Sequence, residues 1–143
     1  MARGIPAQVL EHFRGVPLFA SLSKAGLRAV VGAATEVDVA AGTAIVREGQ
    51  TDRYLYVILS GSAAVTRKGR RIRALGPGDF FGDLAFLDGG PRSATVSAVS
   101  PMTVMALSPR EMDLVVRAEP GIALAILKTM AGRLRTASSS PTG

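Results

Sequence analysis

Residues 76–98, G-P-G-D-F-F-G-D-L-A-F-L-D-G-G-P-R-S-A-T-V-S-A, hold two chain breakers, one short apolar run and one strand-like segment. Gly76-Pro77-Gly78 forms a turn, and Phe80-Phe81 leads into Gly82 and Asp83. Leu84 to Leu87 is just long enough for a single helical turn. Asp88-Gly89-Gly90-Pro91 then breaks the chain and delivers Arg92 to a strand from Ser93 to Ala98. A helix opening at Gly82 turns N–H groups and the positive end of its dipole toward an anion. Glycine lets backbone approach a ligand closely. Arg92 offers a planar fork of donors suited to phosphate, and Ser93 adds a hydroxyl. Asp83 is an acceptor only, which suits a sugar hydroxyl and not a phosphate. A donor fork and a sugar acceptor nine positions apart point to a nucleotide. A structural salt bridge from Arg92 to Asp83 or Asp79 is the alternative use of that side chain.

Upstream of this stretch the hydrophobic period is two. Thr35 to Ala40 alternates, with Val37 and Val39 on one face, and further strands are expected at 44–47, 54–59, 62–68 and 71–75. Downstream, Met102 to Leu107 follows Ser100-Pro101. Short strands with a glycine at nearly every corner argue a sandwich or roll. Gly42, Gly49, Gly61 and Gly76 read as architectural corners, and Gly82 alone has a functional case.

Helices are expected on both sides of the strands. Residues 5–14 run from Pro6 to Gly15 with Val9, Leu10 and Phe13 on one face, and Ser23 caps a second helix to about Ala34. Ser108-Pro109-Arg110-Glu111 is a capping box with Pro at the first helical position. A break at Glu119-Pro120-Gly121 precedes a last helix to about Thr136. That helix is apolar on two sides: Ile122, Ile126 and Met130 form one stripe, and Leu124, Leu127 and Leu134 another. One stripe docks on the roll. The second calls for a ligand, a partner chain or a neighbouring domain, and a weak homodimer is one such use.

F-G-D-L-A-F-L followed by P-R-S-A-T-V-S-A resembles the phosphate-binding cassette of cyclic nucleotide-binding domains. G-T-A-I-V-R-E-G-Q-T-D-R-Y-L-Y-V-I-L-S-G, residues 42–61, is similar to that family's glycine-punctuated first half. The likeness covers roughly residues 16–136 and is greatest to the C-terminal domains of bacterial cyclic nucleotide-gated potassium channels. It implies a mainly β fold: an eight-stranded antiparallel β-roll (35–107) with N-terminal helices (5–34) and two C-terminal hinge and lid helices (108–136). The cyclic nucleotide-binding domain then spans 1–136 and a disordered tail 137–143. It implies phosphate contacts from Arg92, Ser93, Ala94, Gly82 and Ala85, and a ribose 2′-OH contact from Asp83. The family usually has Glu at that ribose position. The purine is expected on Val65 and Leu84, with Arg133 stacked over it as the last helix closes. Ser93 leaves the base open, and no other guanine partner is evident, so cAMP is the expected ligand and cGMP the second.

The chain has 143 residues, no Cys, one His and a formal net charge of +6. One domain is expected, without disulfides or thiolate chemistry, compatible with a cytoplasmic location. No apolar run approaches the ~20 residues of a membrane span, and the N-terminus lacks a secretory signal. The basic cluster Arg67-Lys68-Gly69-Arg70-Arg71-Ile72-Arg73 reads as a hairpin tip, with an acidic partner or nucleic acid as alternatives. His12 alone cannot furnish a metal-binding roll, and no nucleophile elbow or Gly-Lys-Ser/Thr phosphate loop occurs, so neither metal nor catalysis is expected. No DNA-reading element is expected from residues 137–143, the seven that remain after the last helix. Two functions remain: a ligand-gated switch acting on an attached or partner effector, or a degenerate roll serving as a protein-interaction module.

Overall fold

The computed structural model describes residues 4–139; within the helices, the side chains of Leu84, Arg133 and residues 136–139 lie outside the described set. Helices α1 (Ala7–Arg14) and α2 (Lys24–Ala33) flank a 3-10 turn at Pro17–Phe19. Strands β1 (Thr35–Val39), β2 (Ala44–Val46), β3 (Leu55–Ser60), β4 (Ala63–Arg67), β5 (Arg70–Leu75) and β6 (Phe80–Phe81) follow. A one-and-a-half-turn helix, α3 (Asp83–Asp88), separates them from β7 (Thr95–Ala98) and β8 (Met102–Leu107). Helices α4 (Pro109–Ala118) and α5 (Gly121–Ser139) close the chain, α5 running past the Thr136 expected from sequence.

The eight strands form two antiparallel sheets of four, ordered β1-β8-β3-β6 and β2-β7-β4-β5. This is the expected roll, and its strands bury alternate residues between the sheets. Val46, Ile58, Ala63, Leu75, Phe81, Val96 and Val104 make that inner core. A larger cluster joins the outer face of β3 and β8 to the helices through Phe13, Leu18, Phe19, Val30, Leu55, Leu107 and Val115. Phe13 and Phe19 stack with ring centroids 6.1 Å apart, and fully burying each ring contributes about 1.5–3 kcal/mol. Here the helices are not appendages; they complete the core.

The helix caps follow the sequence. Ser23 Oγ accepts from Gly26 N at 3.0 Å, and Ser108 and Glu111 exchange both bonds of a capping box. Ile122 is buried while Ala125, Ile126 and Met130 lean on the core, so the first stripe of α5 docks. Leu124, Leu127 and Leu134 face outward, Leu127 at 64% exposure. Val37 and Val39 share one face, as expected, with Val37 opposite the buried Val104; both border an open cleft near Tyr54, Tyr56 and Glu111, which leaves Val37 39% exposed.

Two contacts position the cassette. Gly78 N donates to Ile58 O and Ile58 N to Asp79 O, pinning the Gly-Pro-Gly turn to β3. Helix α1 presses on the same turn, with His12 Nδ1 only 3.1 Å from where a Cβ on Gly78 would stand. Among the described residues, no helix is long and apolar enough to cross a membrane.

Candidate functional site

Arg92 sits in the loop between α3 and β7, its backbone clamped in both directions to the β2–β3 turn. Gly49 N donates to Arg92 O and Arg92 N to Gln50 O, each at 2.8 Å. This double clamp sends the side chain inward, where the residue is only 5% exposed. Nη2 donates to Tyr54 O at 2.6 Å and lies 3.2 Å from Asp52 Oδ1. Asp52 is thus the ion-pair partner, in place of the Asp83 or Asp79 weighed from sequence; Asp79 instead caps its own turn by accepting from Gly76 N.

Asp52 is held as firmly as the arginine it faces. Its Oδ1 accepts from Tyr54 N at 2.9 Å and its Oδ2 from the Tyr56 hydroxyl at 3.3 Å. Tyr56 stacks on Phe81 at 5.0 Å and on Tyr54 at 6.1 Å, and the Arg92 guanidinium carbon lies 5.9 Å from its ring centroid. Burial pushes the Tyr56 phenol up to about 12, helped by the Asp52 carboxylate and opposed by Arg92. Tyr56 is therefore a permanent donor to Asp52 at any physiological pH.

The rest of the guanidinium is unsatisfied. Nε and Nη1 are buried without a hydrogen-bond partner. Leaving such donors orphaned costs about 1–3 kcal/mol each, more on a charged group. Nε and Nη1 lie on different edges of the guanidinium plane, so each is left to donate one charge-assisted bond to an anion.

Gly82 shows how closely this guanidinium is fitted. It caps α3 in the left-handed region, at φ 89° and ψ 11°. A Cβ there would collide with Arg92 Nη1 and stand 2.7 Å from Tyr54 O. The glycine admits the arginine as well as the turn.

Above Arg92 opens a cavity of about 380 Å³. It brings together Gly82, Asp83, Ala85, Arg92, Ser93 and Ala94 from the cassette with Val65 from β4. The remaining two expected site residues, Leu84 in α3 and Arg133 in α5, have side chains outside the described set. Sequence reasoning missed three others. Asp52 orients Arg92, while Arg67 and Arg73 stand in the cavity wall. Lys68 (φ 52°) and Gly69 (φ 77°) do turn the β4–β5 hairpin, as expected of the basic cluster. Its flanking arginines nonetheless serve the cavity, and Arg67 Nε donates to Ser93 O at 3.1 Å.

Roll, flanking helices and a buried arginine at the foot of an open cavity define a structural class: a helix-flanked antiparallel β-roll. The sequence model of the cyclic nucleotide-binding domain matches residues 36–119, and the chain belongs to that family. It is 36% identical over 114 residues to a cyclic nucleotide-gated potassium channel of Rhizobium etli, covering 80% of this chain and 32% of the channel. A similar channel of Mesorhizobium japonicum is 35% identical over 125 residues, covering 87% and 35%. The chain thus spans about a third of the length of those two relatives. Among solved structures, the N-terminal domain of a Streptomyces coelicolor A3(2) transcriptional regulator superposes with a TM-score of 0.83 at 30% identity, covering 92% of this chain and 99% of that one. The regulatory domain of Toxoplasma gondii PKA with cAMP gives 0.70 at 34% identity, covering 76% and 43%.

Proposed function

We propose that this domain binds a 3′,5′-cyclic purine nucleotide and reports its occupancy to an attached or partner effector. The observation that carries this reading is Arg92: a buried guanidinium, aimed by Asp52 and Tyr54 O, with Nε and Nη1 unsatisfied beside the cavity. Its free N–H donors take the cyclic phosphate, with Ser93, Ala94, Gly82 and Ala85 closing around the other oxygens. Asp83 accepts the ribose 2′-OH, Val65 and Leu84 seat the purine, and the relative solved with cAMP supports this ligand class. The preference for cAMP expected from sequence rested on finding no guanine partner besides Ser93; Arg67 and Arg73 in the wall remove that ground.

The module is regulatory and not catalytic, and its site of action is the cytoplasm. Helix α5 is the moving lid, hinged at Pro120-Gly121, with Arg133 closing over the base; Arg133→Ala then speeds ligand release in stopped-flow and leaves association unchanged. The outward face of Leu124, Leu127 and Leu134 is the surface the effector, or a weak homodimer, covers. A thermal melt tests the binding reading. Ligand at a hundred times its Kd stabilises the native state by about 2.7 kcal/mol, so millimolar cAMP or cGMP should raise Tm where 5′-AMP does not. No shift with either cyclic nucleotide would leave the roll as an interaction module.

A further inference from the structure

The β4–β5 hairpin stands clear of the core. Arg70, Arg71, Ile72, Arg73 and Ala74 are all exposed, and β5 buries nothing before Leu75. Five of the seven residues 67–73 are Lys or Arg, and none is acidic. Arg67 is tied to Ser93 O, and Arg73 stands in the cavity wall. Lys68, Arg70 and Arg71 are left over: among the described residues, no hydrogen bond or ion pair engages their side chains. Two features set this ribbon apart from an ordinary solvated turn. Lys68 holds φ 52°, where hairpins favour Asn, Asp or Gly, and among the described residues no other side-chain-bearing residue has a positive φ. A lysine is thus kept at the tip against its backbone preference. Thr66 pairs with Arg71 and Val65 with Arg73, so Ile72 is an unpaired bulge, and it is left 49% exposed among the arginines.

We propose that this hairpin tip docks on an anionic phospholipid surface. Lys68, Arg70 and Arg71 meet headgroup phosphates, and Ile72 enters the boundary between headgroups and acyl chains. The combination of charge with one bare aliphatic side chain decides the partner. Nucleic acid would reward the cations, but residues 67–73 carry no aromatic on which a base could stack, and Ile72 would stay wet. A stable protein interface needs a broader apolar patch than one side chain. A bilayer surface takes both the cations and the isoleucine and asks for no complementary shape. Arg67 and Arg73 keep their places at the cavity, so the docking does not depend on what the cavity binds.

Cosedimentation with vesicles tests this at about 0.1 M salt, using phosphatidylcholine alone and with about 30% phosphatidylserine. The chain should bind the phosphatidylserine vesicles and not the zwitterionic ones, and release as salt rises to about 0.5 M. Each cation at an anionic surface strengthens binding about fivefold, so Arg70→Gln/Arg71→Gln should weaken it about twentyfold or more. Ile72→Ser should weaken it at least about threefold, since the apolar contact is lost. Lys24→Gln/Arg110→Gln removes the same charge from exposed helical positions and should change binding less than about twofold. An equal loss in that control pair overturns the proposal by assigning binding to net charge alone, as does an Ile72→Ser affinity equal to wild type. Failure to bind the phosphatidylserine vesicles overturns it too; duplex DNA or polyglutamate bound in their place would assign the tip to nucleic acid or to an acidic protein.

Discussion

Gly82→Ala places one methyl group at the point where cassette backbone, arginine and strand meet. Two costs arise. A residue with a side chain at φ 89° pays roughly 1–2 kcal/mol for the left-handed conformation. The new Cβ also stands 2.7 Å from Tyr54 O, well inside the ~3.5 Å at which attractive contact between carbons begins. Tyr54 O is backbone immediately before β3 and accepts from Arg92, so the arginine must move. Forcing extra volume into a packed site costs about 1–3 kcal/mol, for a total near 2–5 kcal/mol. Gly42→Ala is the control: its φ is 88°, yet nothing lies within 4 Å of its Cβ position, so only the conformational cost applies. With a urea m-value near 2 kcal/mol/M, Gly82→Ala should lower the unfolding midpoint by roughly 1–2.5 M, clearly more than Gly42→Ala. Calorimetry should show cyclic nucleotide affinity falling at least about tenfold in Gly82→Ala alone, since only there is the phosphate anchor displaced. Two variants with equal midpoints and unchanged affinity would refute the fitted contact between Gly82 and Arg92.

Three further outcomes follow from the same geometry. Asp52→Asn should weaken cyclic nucleotide binding about five- to thirtyfold, a loss of 1–2 kcal/mol, because Arg92 keeps only Tyr54 O to aim it; tighter binding would mean that Asp52 competes with the phosphate. In a Tyr54→Phe background the remaining phenol, Tyr56, should titrate near pH 12 by absorbance. Between about pH 10 and 12 the unfolded chain has lost the Tyr56 proton that the folded chain retains, so stability falls as pH rises, and Tyr56→Phe should flatten that slope; a midpoint at 10 would contradict the burial and the Asp52 contact. Asp83→Glu lengthens the proposed ribose acceptor by ~1.5 Å and should tighten binding several-fold in calorimetry, whereas a loss would show a loop shaped around aspartate.

The elements carried by local pattern were legible in the sequence. Alternation and corner glycines give the strands, the Ser108–Glu111 box gives α4, and Arg92 with Gly82 stands out in the cassette. What escaped depends on register and distant pairing. Asp52 reaches Arg92 from forty positions away, and nothing local separates it from Asp79 or Asp83 as a partner. The bulge at Ile72 is set by β4–β5 pairing, and a basic hairpin looks alike whether its arginines meet solvent or a cavity. Alternation puts Val37 and Val39 on one face, but it does not tell that the cleft beside them leaves Val37 39% exposed.

Arg92 tests the central claim most directly. Its truncation removes both unsatisfied donors and leaves any bound phosphate near the unpaired Asp52 carboxylate, a loss of about 3–5 kcal/mol. Isothermal titration of wild type with cGMP and cAMP should show saturable binding at one site per chain. Arg92→Ala, with its fold verified by circular dichroism, should bind the tighter of the two at least a hundredfold more weakly. Arg92→Ala binding as tightly as wild type, or wild type failing to bind either nucleotide at millimolar concentration, would contradict the account.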